Sequence, residues 1–109
     1  MGDDLMLLQG TLDVLILRAL ADGPQHGYAV ARWIHDATDQ ALRVEDRALY
    51  VALHRALERG WVSASWGASE NNRRARFYTL TRSGRRALAR NQKQWASYVA
   101  AMTKALGQA

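Results

Sequence analysis

The sequence predicts an α+β fold made mostly of helices, with one β-hairpin and a long C-terminal helix. Three observations support this prediction: apolar residues recur at helical spacing in four segments, a stretch with strand composition follows the third of them, and the charge changes sharply after residue 70. With 109 residues, of which 49% are hydrophobic, the chain is long enough for one domain with a modest core.

Two short helices are predicted first, separated by a turn at Asp22-Gly23-Pro24. In residues 11–21 the apolar side chains follow the i, i+3, i+4 spacing of an amphipathic helix, and Thr11 occupies the expected N-cap position. Residues 26–38 form the second helix, whose apolar face consists of Val30, Ile34 and Ala37. After a polar break, residues 41–44 could form a short strand.

A third helix is predicted over residues 46–59, ending before Gly60, which suits the C′ position. Its apolar side consists of Leu49, Leu53, Ala56 and Leu57. Arg47, His54 and Glu58 fall on the opposite side, with Tyr50 at its edge. Such a face can reach base edges and phosphates, with Arg47 suited to guanine and Tyr50 to a phosphate. An ordinary solvated helix face is the alternative.

The sequence period changes after Gly60. Residues 61–66 and 76–81 are rich in aromatic and β-branched residues, which predicts the two strands of a hairpin around a polar loop at 67–74. Amide and guanidinium groups on a protruding turn suit a phosphate clamp or a narrow minor groove. The predicted DNA contacts of the hairpin are therefore Asn72, Arg73, Arg74 and Arg76.

Thr81 is predicted to cap a last helix that reaches about residue 106. Its apolar side chains form a continuous stripe, which on a small monomer would be a large exposed patch and therefore an interface. We expect a homodimer joined through Leu88, Trp95, Tyr98, Val99, Met102 and Leu106. Residues 5–8, including Leu8, are expected to add to this interface from the N-terminal segment.

This order of elements is typical of a winged helix-turn-helix, here with a C-terminal dimerisation helix. It divides the chain into a DNA-binding domain at residues 1–81 and a dimerisation helix at residues 82–109. In such folds the third helix enters the major groove of DNA and the hairpin, or wing, lies against the backbone or the minor groove. A two-fold axis would place two recognition helices about 34 Å apart.

The charge distribution is asymmetric. Residues 1–70 contain all ten acidic residues and six arginines, whereas residues 71–109 contain no acid and nine arginines and lysines. A basic region of this kind is typical of a surface that binds a polyanion, because neutralised phosphates release counterions. A soluble helix with a basic face is the alternative.

Other function classes lack support in the sequence. There is no cysteine, and the histidines show neither metal-ligand spacing nor a catalytic motif. A metal site could be imagined at His35, Asp36 and Asp39, but we interpret these residues as an exposed polar helix end. The apolar run at residues 12–20 is too short to span a membrane, and the acidic N-terminus is unlike a secretory signal. We predict no enzymatic activity, no metal, no cofactor, no membrane association and a cytoplasmic location.

Four segments, at residues 8–13, 23–28, 48–55 and 76–84, resemble the PadR family of bacterial transcriptional regulators. The resemblance extends from about residue 7 to residue 106 and is closest to the short members with a single C-terminal helix. It implies a homodimeric repressor that binds a roughly palindromic operator in double-stranded DNA and releases it when a small molecule binds. The wing sequence at residues 69–74 is typical of one branch of this family.

Several residue roles follow from the resemblance alone. Tyr50 matches the tyrosine that contacts the operator, Tyr28 stands at the start of the second helix beside the phosphates, and Arg73 and Arg74 match wing contacts. In some drug-responsive relatives a tryptophan on the last helix sandwiches flat aromatic ligands. Trp95 has a similar position and is a candidate contact for a small aromatic effector, with a dimer-core aromatic as the preferred alternative.

The chain also departs from the family pattern. Arg47-Ala48 precede Leu49-Tyr50-Val51 where the family usually has Gly-Ser or Gly-Thr before Leu-Tyr-Pro. This departure suggests that Arg47 contributes to operator specificity. Glu45 and Asp46 would repel phosphate at the start of the recognition helix, which leaves open a ligand-binding or protein-interaction dimer without DNA binding.

Overall fold

A computed structural model of the chain describes residues 10–107. Its elements, in chain order, are α1 (Thr11–Ala19), β1 (Gln25–His26), α2 (Gly27–Ala37), α3 (Asp46–Glu58), β2 (Val62–Ala68), β3 (Arg74–Leu80) and α4 (Arg82–Leu106). The strands form one antiparallel sheet in the order β1-β3-β2. The predicted α+β class, with helices predominating, is confirmed.

A single core joins α1, α2 and α3 to the base of the hairpin and the first turns of α4. Its most deeply buried side chains are Ile16, Leu17, Leu20, Val30, Ile34, Leu49 and Leu53. Leu88, which was predicted to lie in a dimer interface, is only 8% exposed and belongs to this core. Packing within one chain is therefore enough to bury Leu88, without a dimer partner.

The start of α1 differs from the prediction. Thr11 is already helical, and the N-cap residue is Gly10, with φ of 89°. Glycine adopts this left-handed conformation without the steric cost that a Cβ would add. The helix also ends at Ala19, two residues before the predicted end.

The strand predicted at residues 41–44 is wrong, because this segment has only an isolated bridge at Leu42. Asp39 and Gln40 have φ of 52° and 68°, which turns the chain back at the end of α2. Thr38 Oγ1 then accepts a hydrogen bond from the Leu42 N–H at 3.1 Å. The third strand of the sheet is instead β1, where Gln25 pairs with Tyr78 and His26 with Phe77 of β3.

The hairpin is longer than predicted. Strand pairing continues past Trp66 until Ala68 lies opposite Arg74, so the loop is residues 69–73 rather than 67–74. Backbone groups make the ladder hydrogen bonds, so polar side chains on an exposed hairpin do not end the pairing. Arg74 consequently belongs to β3.

The start of α4 is closely joined to the end of α3. Gly60 has φ of 75° after α3, and Thr81 Oγ1 accepts a hydrogen bond from the Gly84 N–H at 3.0 Å, which confirms both predicted caps. A Cβ on Gly84 would collide with the carbonyl oxygen of Trp61, so glycine permits this close approach. Beyond Leu88, α4 is largely exposed. None of the helices within residues 10–107 is both long and apolar enough to cross a membrane.

Candidate nucleic-acid interface

The outward side of α3 is the first component of the candidate interface. The helix buries Leu49, Ala52, Leu53 and Ala56. An exposed stripe on the opposite side consists of Arg47, Val51, His54 and Glu58, and the predicted exposure of Arg47 and His54 is confirmed. His54 Nε2 lies 3.3 Å from Glu58 Oε2, so the imidazole is held by a neighbour on the same face.

Val51 is a member of this stripe that sequence reasoning missed. It is 54% exposed and lies one helical turn after Arg47, a spacing that places both on one face. The i, i+4 spacing from Arg47 could have identified Val51 from the sequence. Because its side chain is apolar, it was assigned no role there. An apolar side chain on a recognition helix is suited to contact with the methyl group of thymine.

Tyr50 connects α3 to the start of α2. A Cβ on Gly27 would be 2.5 Å from the Tyr50 hydroxyl oxygen, so the phenol occupies space that only glycine leaves free. Burial raises the pKa of Tyr50, and the nearby Tyr78 and Asp46 raise it further. The side chain is nevertheless 49% exposed. Its hydroxyl therefore keeps its proton and is available as a hydrogen-bond donor.

The start of α2 is held against the wing. His26 is the N-cap residue, and its Nδ1 accepts a hydrogen bond from the Ala29 N–H at 3.3 Å. The imidazole stacks near Tyr28 with ring centroids 6.4 Å apart and makes a T-shaped contact with Phe77, with centroids 5.5 Å apart. Tyr28, which the family resemblance placed beside the phosphates, projects from the first turn of α2 and is 65% exposed.

The tip of the wing is an ordered turn. The Ser69 N–H donates to the Arg73 carbonyl at 2.8 Å, and the Asn72 N–H donates to the Ser69 carbonyl at 2.8 Å. Asn72 has φ of 57°, a conformation that asparagine tolerates better than most residues. The side chains of Asn72 and Arg73 are exposed on this turn, as predicted.

Three arginines on this side of the molecule lie over aromatic rings. The guanidinium carbon of Arg74 is 4.6 Å from the centroid of Trp66. The corresponding distances are 6.0 Å from Arg76 to Tyr78 and 5.9 Å from Arg32 to Tyr28. Sequence reasoning missed Arg32 and Trp66, because only the sheet register places Trp66 opposite Arg76 and only the packing of α2 places Arg32 near the wing.

The start of α2, Tyr50 and one face of the hairpin border an open groove of about 750 Å³, here called the α2–wing groove. Its basic lining residues are Arg32, Arg73, Arg74 and Arg76, and its acidic ones are Asp36 and Glu70. Most of the predicted DNA-contact residues thus meet at one surface. Arg47 and His54 lie on the adjoining face of α3.

A second cavity of about 620 Å³, the α1–α4 cavity, lies between α1, α4 and the end of α3. Trp95 and Tyr98 line it with ring centroids 5.9 Å apart, and Trp61 lines it from the start of the hairpin. Asp13 of α1 accepts a hydrogen bond from Arg55 at 2.6 Å and pairs with Arg59 at 3.4 Å. The hydrogen bond to Asp13 raises the pKa of the Arg55 guanidinium.

The outer part of α4 carries an apolar stripe that the other described residues, within 10–107, leave exposed. Its exposed large side chains are Trp95, Tyr98, Val99, Met102 and Leu106. They are the residues that the sequence predicted for a dimer interface, apart from Leu88 in the core and Leu8, which lies outside the described residues. Their role in dimerisation remains a prediction.

Comparisons with known proteins identify the relatives of this fold. The model of the transcriptional regulator PadR-like family matches residues 16–90. A transcriptional regulator from Clostridium thermocellum has a TM-score of 0.80 and 25% identity, over 88% of this chain and 93% of that one. A PadR family transcriptional regulator from Eggerthella lenta has a TM-score of 0.75 and 26% identity, over 93% and 86%.

A further similar structure is Bacillus subtilis PadR in complex with operator DNA. Its TM-score is 0.63 at 23% identity, and the match covers 72% of this chain and 44% of that one. At this identity the likeness concerns the fold. The winged helix-turn-helix arrangement predicted from the sequence is confirmed by these relatives.

Proposed function

Since the chain belongs to the PadR-like family of transcriptional regulators, we propose that it acts as a repressor that binds a palindromic operator as a homodimer. In this proposal the outward side of α3 enters the major groove and the α2–wing groove receives the DNA backbone. A small aromatic effector releases the protein from DNA.

The observation that carries the proposal is the convergence of donors around the α2–wing groove. Tyr50 of α3, the first half of α2 with Arg32, and three arginines of the wing come together there, although these three segments are far apart in the sequence. Phosphate contacts orient a protein on DNA, whereas side chains in the major groove distinguish the bases. The adjoining face of α3, with Arg47 and His54, is exposed and available to distinguish the bases.

Operator binding by a relative supports the same arrangement. Bacillus subtilis PadR was solved with operator DNA, and its fold matches most of this chain. We infer that this chain presents α3 and the wing to double-stranded DNA in a similar way. The predicted DNA contacts on which this depends are Tyr28, Arg47, Tyr50, His54, Asn72, Arg73, Arg74 and Arg76.

The apolar stripe of α4 supports the proposed homodimer. Its side chains would otherwise remain exposed to water on a small protein, and patches of this kind mark interfaces. Pairing two copies through α4 would relate their recognition helices by a two-fold axis, and a palindromic operator has the same symmetry.

The α1–α4 cavity is the proposed effector site. It is lined by Trp61, Trp95 and Tyr98, so a flat aromatic molecule would find aromatic partners there. Arg59, at the end of α3, lines the same cavity. A ligand there would therefore act close to the recognition helix.

A second candidate function is a dimer that binds a ligand or a protein without binding DNA. Glu45 and Asp46 favour it, since both are exposed at the start of α3 and would repel phosphate. They lie outside the α2–wing groove. The positively charged groove therefore predicts that the protein binds DNA, whereas these carboxylates predict that it repels DNA.

The deciding experiment is selection of bound sequences from a random duplex pool at two salt concentrations. Repressor function predicts an enriched inverted repeat and an affinity that falls steeply as salt rises. The test variant is Arg73→Glu/Arg74→Glu, which should abolish enrichment. The matched control is Arg86→Glu/Arg90→Glu, which makes the same charge change on exposed positions of α4 outside the groove and should retain it.

If no motif is enriched and both double variants behave like the parent, DNA binding is refuted and the second candidate is favoured. If an inverted repeat is enriched, a reporter gene placed behind it tests the direction of regulation. Repression predicts higher expression when the protein is removed, whereas lower expression would identify an activator.

A further inference from the structure

Trp66 is an exposed aromatic residue in the middle of the wing. It is 60% exposed, so the core does not explain its presence. In the sheet it lies opposite Arg76, and Ala68, two residues later, lies opposite Arg74. Residues opposite each other or two apart project from the same face of a sheet, so Trp66, Arg74 and Arg76 share one face. That face borders the α2–wing groove.

The closest cation–π contact on this face joins Trp66 and Arg74. The guanidinium carbon lies 4.6 Å from the ring centroid, a shorter distance than for Arg76 over Tyr78 or Arg32 over Tyr28. Tryptophan is the most effective aromatic partner for a cation. A guanidinium held over a ring by one face keeps its N–H groups free at its edge, where they can donate to a phosphate.

We infer that Trp66 is a positioning residue that holds Arg74 for contact with the DNA backbone. This inference rests on the proposed DNA-binding function. An unrestrained arginine on a hairpin loses rotamer freedom when it binds, whereas an arginine already held over an indole loses less. Trp66 therefore strengthens binding without necessarily touching DNA, and it acts independently of the base sequence because its partner contacts phosphate.

The competing explanation is that Trp66 itself contacts DNA, through a sugar or an inserted base step. The position of Arg74 favours the positioning role, because the guanidinium covers the ring that such a contact would use. The two explanations predict different effects of substituting Trp66 in a protein that already lacks Arg74. A positioning residue has no effect once Arg74 is removed, whereas a direct contact keeps its effect.

The first test is a double-mutant cycle with a duplex of mixed sequence as the probe, measured by fluorescence anisotropy. Trp66→Leu should weaken binding about two- to fivefold, the range of an exposed cation–π contact. Trp66→Phe keeps a ring and should recover most of the loss. In the Arg74→Ala background, Trp66→Leu should cause no further loss. Additive losses, or unchanged binding by Trp66→Leu, would overturn the inference.

The second test uses the free protein and is independent of DNA. The δ-methylene protons of Arg74 should show an upfield ring-current shift by NMR that disappears in Trp66→Leu and persists in Trp66→Phe. Absence of this shift in the parent protein would overturn the inference. A parent protein that shows the shift but binds no duplex would refute the proposed function instead, so the two failures are distinguishable. Thermal melting of each variant verifies that the wing substitutions leave the fold intact.

Discussion

The phenol of Tyr50 occupies the space beside Gly27 that any larger residue would need. A Cβ on Gly27 would be 2.5 Å from the hydroxyl oxygen and 2.8 Å from two ring carbons. This contact sets the position of the α3 tyrosine relative to the first turn of α2. Those two elements supply donors to the same groove, so the spacing between them matters for the proposed DNA contact.

Gly27→Ala should therefore displace the Tyr50 ring. Tyr50 is half-exposed and can swing outward, so we expect a stability change below about 1 kcal/mol, together with weaker DNA binding. Urea unfolding and anisotropy measure the two effects. In a Tyr50→Ala background Gly27→Ala should leave DNA binding unchanged, and a loss that persists there would mean that the alanine perturbs α2 itself.

Asp13 in α1 is joined to α3 and its C-terminal end through Arg55 and Arg59. Asp13→Asn should lower the free energy of unfolding by about 1 kcal/mol, because a short charge-assisted hydrogen bond at a partly buried carboxylate is lost. The expected observation is a lower urea midpoint with an unchanged slope, at a fixed protein concentration.

Asp22 provides the matched control for this change. It pairs with Arg18 at 3.8 Å on the same part of the chain, but its side chain is 85% exposed. Asp22→Asn should change the free energy of unfolding by less than about 0.5 kcal/mol. Equal losses for both variants would indicate a general charge effect rather than the α1–α3 link.

Arg47 and Arg73 should contribute to binding in different ways. Arg47→Ala should relax the preference for one base pair in the operator, at a cost of about 1 to 3 kcal/mol on the selected sequence. Arg73→Ala should weaken binding to all sequences and reduce the slope of log K against log salt by about 0.9. Titrations of selected and mixed-sequence duplexes at several salt concentrations separate the two. Identical behaviour of the variants would contradict the assignment of Arg47 to base reading.

Met102 lies in the exposed apolar stripe of α4. Met102→Glu should dissociate the proposed dimer, because a charge would be buried at its interface. Sedimentation equilibrium measures the assembly. Gln92→Glu adds the same charge at an exposed polar position of the same helix and should leave the dimer intact. A monomeric parent protein would remove the basis for the dimer proposal.

Most of the helical architecture was predictable because its signals are local. The apolar spacing of α3, the glycine at residue 60 and the threonine cap at residue 81 involve residues within a few positions of one another. The two hairpin strands were located for the same reason, although each was placed two residues short at the end that faces the loop. The errors at Thr11 and at residues 41–44 arose where backbone conformation, rather than composition, decided the outcome.

By itself, the sequence determined the order of the four helices and the hairpin, the basic wing and the exposed face of α3, since each depends on periodicity or composition over a short window. Only the tertiary structure decided that Gln25 and His26 form a strand, that Trp66 lies beside Arg74, that Tyr50 packs over Gly27 and that Leu88 is buried within its own chain. These relationships depend on sheet register and helix packing between distant segments, and a local pattern does not specify which distant residues will meet.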